Sequence, residues 1–176
     1  NASMFSRVRA WKVVVTAGGT EEPLDPVRAI TNHSSGKQGF AIAQAALERS
    51  AQVTLVAANA HMPTPIGASR VDVRTSEQML AAVLAAVAQA DVLVMAAAVA
   101  DFRPARVADR KLLRGDRLTL DLEPTPDVLA EVAARVREGV GEGPRDAPGA
   151  RPILVGFAAE TGSLERAADK LRRKGV

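Results

Sequence analysis

The sequence contains no cysteine and only two histidines, His33 and His61. Without cysteine there can be no disulfide framework, no thiolate zinc site, no iron–sulfur cluster and no cysteine nucleophile. Two histidines are also too few for a histidine-rich metal site. Aromatic residues make up 3% of the chain, which argues against binding single-stranded nucleic acid by stacking bases on aromatic rings.

The net charge is also small, and long apolar runs are absent. The chain has 23 basic and 20 acidic residues, a net charge of +3, and this excess is too weak to indicate nucleic-acid binding. The longest apolar run, residues 92–100, is shorter than a membrane span, and the N-terminus lacks the apolar core of a signal peptide. We interpret residues 1–3, ahead of Met4, as an expression scar, and we expect a cytoplasmic protein without nucleic-acid or membrane partners.

What the sequence does contain is a full hydrophobic core, with 47% hydrophobic residues among 176, as expected for one globular domain. Apolar periodicity predicts strands that alternate with helices, the pattern of a doubly wound α/β fold with a mostly parallel sheet. The strand order stays open. The predicted strands cover 13–15, 52–56, 71–73, 91–95, 118–120 and 153–155; the predicted helices cover 37–49, 76–87, a stretch from 126, and 163–174.

Local signals refine these elements. Ser76 is predicted as the N-cap of its helix, and Pro126 is predicted in the first helical turn. The strand at 91–95 is apolar on both faces, which predicts a central position. Polar or Gly- and Pro-rich composition predicts loops at 20–36, 102–117 and 139–149.

Small residues follow three of the predicted strands, at 18–20, 97–101 and 156–161. Ligands of open α/β sheets bind beyond the carboxyl ends of the strands, so these segments are candidate binding loops, although tight turns alone also require small residues. The loop at 32–37 precedes a helix, and its amides, hydroxyls and lysine suit a phosphate. It is not a Walker A motif, because Thr31 stands where the first glycine belongs and Gln38 follows Lys37.

Several charged residues allow two interpretations. Asp101 follows an apolar strand and could hold a ligand group, a cation or an arginine, or form an ion pair with Arg103 or Arg106. Lys111 lies in a basic loop and, taken alone, reads as a solvated charge. Lys170 and Lys174 share a helix face and could equally be a solvated helix end. Neither histidine is assigned a catalytic role.

Taken together, these segments closely resemble one family. They match, in order and over nearly the whole chain, the phosphopantothenate–cysteine ligases, which form the synthetase half of bacterial coenzyme A biosynthesis bifunctional proteins and belong to the DNA/pantothenate metabolism flavoproteins. The matching segments are 16–20 (TAGGT), 22–28 (EPLDPVR), 30–39 (ITNHSSGKQG), 96–104 (AAAVADFRP), 126–129 (PDVL) and 155–161 (VGFAAET).

The resemblance implies a Rossmann-like, three-layer α/β/α fold and a single ligase domain over 1–176. It implies CTP-dependent joining of L-cysteine to 4'-phosphopantothenate through an acyl-cytidylate, with Mg²⁺ and with release of pyrophosphate and CMP. The metal ligands stay unknown. It also implies a homodimer that is fused to, or works with, a flavin-dependent decarboxylase, and no FMN in this domain.

Residue roles carry over by motif. The resemblance implies that Asn32 stabilises the acyl-cytidylate, that Arg28 is a neighbouring anion contact, and that Lys111 belongs to a flap that closes over the nucleotide. The implied binding residues for nucleotide and phosphates are Gly18, Ser34, Ser35, Gly36, Met95, Ala96, Ala97, Asp101, Pro126, Asp127, Val128, Leu129, Phe157, Lys170 and Lys174.

Three departures from the family pattern leave alternatives open. The flap reads Lys111-Leu112-Leu113-Arg114 where the family has Lys-Ile-Lys-Lys, Thr125 replaces an asparagine, and the chain ends at Val176 where the family continues with another strand. We therefore expect a truncated domain, and a catalytically silent CTP-binding module is the first alternative. An NAD(P)-binding Rossmann domain is the second, and the lack of spaced glycines counts against it.

Overall fold

The computed structural model describes residues 9–115, 117–139 and 151–157. Strands and helices alternate along them as predicted, and the α/β class is confirmed. The elements are β1 (Lys12–Gly18), β2 (Glu21–Pro23), β3 (Ala29–Thr31), α1 (Lys37–Glu48), β4 (Gln52–Ala58), β5 (Ser69–Val73), α2 (Ser76–Val87), β6 (Val92–Met95), β7 (Phe102–Pro104), β8 (Leu122–Pro124), α3 (Val128–Gly139) and β9 (Ile153–Gly156).

Five of these strands form one parallel sheet in the order β5-β4-β1-β6-β9. The strand predicted to be central, β6, is next to the centre, and β1 occupies the middle position. Both strands are apolar on their two faces, because both have a neighbour on each side and helices above and below. Apolar composition therefore does not separate the middle strand from the strand beside it.

Helices cover both faces of the sheet and give the predicted three layers. Successive strand residues point to opposite faces, so Val15 and Leu55 pack with Phe40 of α1 on one side. Val14 and Val56 face the other side. There they join the apolar stripes of two helices, which include Met79, Val83, Val132 and Val136.

Two segments predicted as loops contain strands. Within 20–36, β2 and β3 pair as an antiparallel hairpin of three residue pairs, and Pro23 pairs with Ala29 at its end. β7 begins at Phe102 and pairs antiparallel with β8. The prediction of a strand at 118–120 was wrong, because the pairing residues are Leu122–Pro124. The apolar alternation at 118–120 lies on exposed backbone instead.

Two helix starts also differ from the predictions. Thr75, not Ser76, is the N-cap of α2, and it forms a capping box with Gln78. α3 begins at Val128 rather than at Pro126, and the Asp127 carboxylate accepts the Ala130 amide at 3.1 Å. The predicted helix at 163–174 lies outside the described residues, as does the predicted loop at 139–149 except for Gly139, which ends α3. Within the described residues, no helix is both long and apolar enough to cross a membrane.

Candidate functional site

A cleft of about 350 Å³ opens at the carboxyl edge of the sheet, where the ends of β6 and β9 meet the start of α3. This volume falls within the range of small-molecule sites. Asn32 contributes from the segment after β3. The cleft is lined by Asn32, Met95, Ala97, Ala98, Val99, Ala100, Asp101, Thr125, Pro126, Asp127, Val128, Leu129, Gly156 and Phe157.

Asn32 is tied to the opposite wall of the cleft by its side chain. Its Nδ2 donates to the Val99 carbonyl at 3.0 Å, although the residue itself is exposed. Its backbone packs on Gly19, where an added Cβ would lie 2.7 Å from the Asn32 carbonyl oxygen. The Gly19 position therefore needs glycine to let the Asn32 main chain approach the end of β1.

Two buried threonines hold the wall that runs from Ala97 to Ala100. The Thr16 hydroxyl accepts the Ala97 amide at 3.0 Å, and the Thr20 hydroxyl accepts the Ala100 amide at 2.9 Å. Between them, the Ala98 amide donates to the Gly18 carbonyl at 2.8 Å. The sequence analysis missed both threonines as site residues. Their position at the end of a buried strand, beside glycines, was the available signal.

The start of α3 closes the other side of the cleft. The Thr125 amide donates to the Asp101 carbonyl at 3.0 Å, and its hydroxyl donates to the Ala100 carbonyl. Gly156 lies directly under α3, since a Cβ there would be 2.6 Å from Leu129 Cδ2. Threonine thus links the wall to α3 at the position where the family has asparagine.

Apart from Asn32, the loop before α1 lies outside this cleft, and it has the geometry of an anion site. The N-cap residue Gly36 has φ 75° and no capping side chain, and the first turn of α1 carries no acidic residue. The hydroxyls of Ser34 and Ser35 each accept an amide of the same loop at 3.4 Å. Gly18 packs beneath the loop, with φ 84° and a virtual Cβ only 1.8 Å from the Ala58 carbonyl oxygen.

Asp25 and Arg28 form an ion pair in the turn of the β2–β3 hairpin. The Asp25 side chain is fully buried, and its Oδ1 accepts the amides of Val27 and Arg28, each at 2.8 Å. Its Oδ2 accepts from the Arg28 guanidinium, with Nε at 2.9 Å. The Arg28 hydrogen bond, helped by three backbone amides and opposed by burial, holds the pKa of Asp25 well below its usual range. Asp25 is therefore an anion at any working pH.

The same pair holds the segment that carries Lys111. The Leu112 amide donates to Asp25 Oδ2 at 3.1 Å, and Arg28 Nη2 donates to the Leu112 carbonyl at 2.9 Å. Nearby, the Ala108 amide donates to the Leu24 carbonyl at 3.0 Å. Lys111 itself is exposed.

Asp101 is exposed at the rim of the cleft, so the cost of burying it does not arise. Neither alternative partner forms an ion pair with it in the described part of the chain. Arg103 pairs with Glu77 and with Glu123 instead.

The structure brings together nine of the residues selected from the sequence and leaves others elsewhere. Asn32, Met95, Ala97, Asp101, Pro126, Asp127, Val128, Leu129 and Phe157 line one cleft. The remaining described candidates are not among its lining residues: Gly18, Arg28, Ser34, Ser35, Gly36, Ala96 and Lys111. Lys170 and Lys174 lie outside the described residues.

A larger cleft of about 590 Å³ lies at the amino-terminal ends of β1 and β4, beside the end of α2. Its one charged lining residue is Lys12, and none of the motif residues reaches it. Ligands of parallel α/β sheets bind at the carboxyl edge, so we assign the site to the smaller cleft.

The described residues contain no group of three acidic or histidine side chains close enough to enclose a metal ion. The cleft does contain the carboxylates of Asp101 and Asp127. Magnesium is commonly held by one or two carboxylates together with substrate phosphates, and this donor set fits that mode of binding rather than a protein-only cage.

A parallel sheet with small-residue loops and a ligand-sized cleft at its carboxyl edge defines a Rossmann-like α/β protein. Residues 8–176 match the family model of the DNA/pantothenate metabolism flavoprotein C-terminal domain. The chain belongs to this family.

Relatives and solved structures support the assignment. The chain is 44% identical over 169 residues to the coenzyme A biosynthesis bifunctional protein CoaBC of Vibrio cholerae, covering 94% of this chain and 39% of that protein. It is 49% identical to CoaBC of Mycobacterium bovis, covering 93% and 40% respectively. A crystal structure of the C-terminal domain of CoaBC superposes with a TM-score of 0.76 at 35% identity, covering 96% of this chain and 74% of that one. The chain thus spans about two fifths of the length of these curated relatives.

Proposed function

We propose that this chain is a phosphopantothenate–cysteine ligase domain that acts in coenzyme A biosynthesis and uses CTP. In the first step a carboxylate oxygen of 4'-phosphopantothenate attacks the α-phosphorus of CTP, the bond to the β-phosphate breaks, and pyrophosphate leaves. In the second step the amine of L-cysteine attacks the acyl carbon, loses a proton, and expels CMP.

The observation that carries the proposal is the convergence of distant segments on one cleft. Asn32, the 97–101 wall, the start of α3 and Phe157 come from four parts of the sequence and line the same space. Each of these parts belongs to a segment that resembles the ligase family. A fold that only needed small residues for tight turns would not require them to meet.

The lining of the cleft supports the binding of a nucleoside and an acyl phosphate. Small residues along 97–100 leave main-chain groups within reach of a ligand, and the side chains of Leu129 and Phe157 offer apolar surface. We assign the nucleoside to this wall and to the start of α3. Asn32, fixed by its bond to Val99, is the residue that stabilises the acyl-cytidylate.

Anion binding falls to the neighbouring elements. The start of α1, where the N-cap Gly36 has no side chain and the hydroxyls of Ser34 and Ser35 lie beside the first amides, suits a phosphate group. The Arg28 side chain is 41% exposed and serves as a further anion contact. Lys111 approaches the phosphates of the nucleotide from its loop, and Lys170 and Lys174 complete the set.

Magnesium would be held by the nucleotide phosphates with help from Asp101 and Asp127. When bound, it would neutralise the charge that develops on the phosphates. The protein residues keep the two polyanions together and exclude water from the activated carboxyl carbon.

The assembly follows from the same family resemblance. We propose a homodimer, supported by exposed apolar residues at and before β8, and cooperation with a flavin-dependent decarboxylase in the cytoplasm. The relatives are named bifunctional proteins, which supports the second part.

The direct test is to incubate the chain with CTP, Mg²⁺ and 4'-phosphopantothenate, with and without L-cysteine, and to follow pyrophosphate release. Release that turns over only with cysteine supports the ligase. CTP binding without any release would identify a silent nucleotide-binding module. Binding of NAD(P) with no response to CTP would favour the dinucleotide alternative.

Asn32→Ala tests the assigned centre of the site. We expect a folded protein whose acyl-cytidylate formation is about 10²-fold slower, the cost typical of losing one polar contact to a reacting group. Gln44→Ala removes an exposed amide on α1 whose side-chain partner among the described residues is Glu48, and it is the matched control. Unchanged turnover in Asn32→Ala would refute the role assigned to Asn32.

A further inference from the structure

The segment that carries Lys111 is anchored on the β2–β3 hairpin through its main chain. The turn of that hairpin forms hydrogen bonds with the segment at two places. The Leu24 carbonyl accepts from the Ala108 amide, and the Asp25–Arg28 pair bonds to the main chain of Leu112. The same hairpin continues directly into Asn32. One small element thus connects the segment of Lys111 to a wall of the cleft.

The contact at Leu112 fixes two peptide planes. The Leu112 amide that donates to Asp25 belongs to the planar peptide whose other half is the Lys111 carbonyl. The Leu112 carbonyl that accepts from Arg28 belongs to the next peptide along the chain. With both planes held, the backbone on the C-terminal side of Lys111 has little freedom to rotate.

We propose that Asp25 is a positioning residue, which acts with Arg28 as a clamp on the Leu112 backbone and sets where Lys111 stands relative to Asn32. This inference rests on the proposed function. The ligand served is the phosphate chain of the nucleotide. Asp25 itself touches no substrate, because its Oδ1 and Oδ2 are already occupied by protein donors.

The clamp forms its hydrogen bonds with the main chain of Leu112 and not with its side chain. It therefore tolerates the Lys111-Leu112-Leu113-Arg114 sequence, in which only the first lysine of the family pattern remains. Leu113 is 93% exposed, and no hydrogen bond to its amide is found among the described residues. The two neighbouring leucines are thus a natural pair for comparison.

The first experiment measures the clamp without using activity. The loop carries trypsin sites at Arg110, Lys111 and Arg114, and cleavage requires it to leave the hairpin. We expect Asp25→Asn to speed cleavage after Arg110 and Arg114 several-fold, as followed by mass spectrometry. Asp91→Asn is the matched control, because Asp91 also pairs with an arginine and accepts a backbone amide, that of Lys12 at 2.7 Å, but at the amino end of the sheet.

A second variant keeps the buried ion pair intact in case Asp25→Asn does not fold. Leu112→Pro deletes the amide that Asp25 accepts, and Leu113→Pro makes the same change one residue later. We expect faster cleavage after Arg110 and Arg114 in the first and a rate near that of the wild type in the second. Equal rates in wild type, Asp25→Asn and Leu112→Pro would overturn the clamp.

The kinetic test is a double-mutant cycle between Asp25→Asn and Lys111→Ala. If Asp25 acts through Lys111, Asp25→Asn lowers kcat by about ten- to hundredfold in the wild type and has little further effect in Lys111→Ala. Additive losses would mean that Asp25 acts by another route, through the fold or through Arg28, and the positioning of Lys111 would be rejected. A wild-type chain without ligase activity would refute the proposed function, while the cleavage rates would still decide the clamp.

Discussion

The Thr20 hydroxyl takes the place of a main-chain acceptor, because it accepts the hydrogen bond of the Ala100 amide. The wall at 97–100 follows β6, and the Ala98 amide still donates to the Gly18 carbonyl of β1. The amides of Ala97 and Ala100 donate instead to the hydroxyls of the buried residues Thr16 and Thr20. The cleft therefore depends on two side chains that are not among its lining residues.

Thr20→Val keeps the shape of the side chain and removes this acceptor. We expect a loss of about 1–3 kcal/mol in the free energy of unfolding, because the buried Ala100 amide is left without a partner. CTP binding should weaken as well, since Ala100 lines the cleft. Urea unfolding and calorimetric titration with CTP measure the two effects.

Thr119→Val is the control, because Thr119 is exposed on the segment before β8. A Thr20→Val protein as stable as Thr119→Val would show that the amide finds another partner. If Thr20→Val is destabilised but binds CTP with normal affinity, the 97–100 wall is not part of the nucleotide site.

At the scale of elements, the start of α2 places two hydroxyl residues side by side, Thr75 and Ser76. Thr75 caps it in a capping box with Gln78, and the buried carboxylate of Glu22 accepts the Ser76 amide at 2.8 Å from the hairpin. The Ser76 hydroxyl is buried and has no hydrogen-bond partner among the described residues. The Thr75 hydroxyl thus caps the helix, whereas the adjacent Ser76 hydroxyl does not.

This arrangement predicts opposite results for two alanine substitutions. Thr75→Ala should lower the free energy of unfolding by about 1 kcal/mol, the usual cost of losing an N-cap. Ser76→Ala should leave stability unchanged or raise it slightly, because it removes an unpaired buried hydroxyl. Thermal unfolding of both variants beside the wild type gives the comparison, and a greater loss in Ser76→Ala would reverse the assignment of the cap.

The elements also show where sequence patterns were sufficient. Runs of β-branched residues located β1, β4 and β6, because these strands are largely buried between helices. Shorter runs of the same kind also located β5 and β9, although both are partly exposed. The β2–β3 hairpin was missed, since three residue pairs with a proline at the end give no period to detect. Leu118 and Leu120 led to a wrong strand prediction. They alternate with polar residues as in a strand, but they form no strand pairs in the described part of the chain.

At the scale of the whole molecule, the general rule that ligands bind at the carboxyl edge predicts a site at the edge where the structure has the cleft lined by motif residues. The segment 97–101 was selected because it follows a predicted strand, and 126–129 was selected from the family resemblance alone. The Leu112 clamp could not be predicted, since it joins main-chain atoms of Leu112 to side chains 84 and 87 positions earlier. Contacts of the backbone across such distances leave no pattern in the side-chain sequence.

The exposed face of the segment before β8 gives a prediction about assembly. Leu118, Leu120 and Leu122 alternate with polar residues, so an extended backbone places them on one side. They are 55%, 37% and 47% exposed in the single chain. A row of apolar side chains exposed to water is typical of an interface, and in a twofold dimer the same row meets its own copy.

We therefore expect sedimentation to give about twice the 18.4 kDa of one chain. Replacing both Leu120 and Leu122 by glutamate should shift the protein to the monomer, because like charges would face each other across the twofold axis. Ile66→Glu changes a residue that is 98% exposed in the loop between β4 and β5, and it should leave the mass unchanged. A wild-type monomer at micromolar concentration would contradict the dimer. If the double substitution leaves the dimer intact, the interface lies on another surface of the molecule.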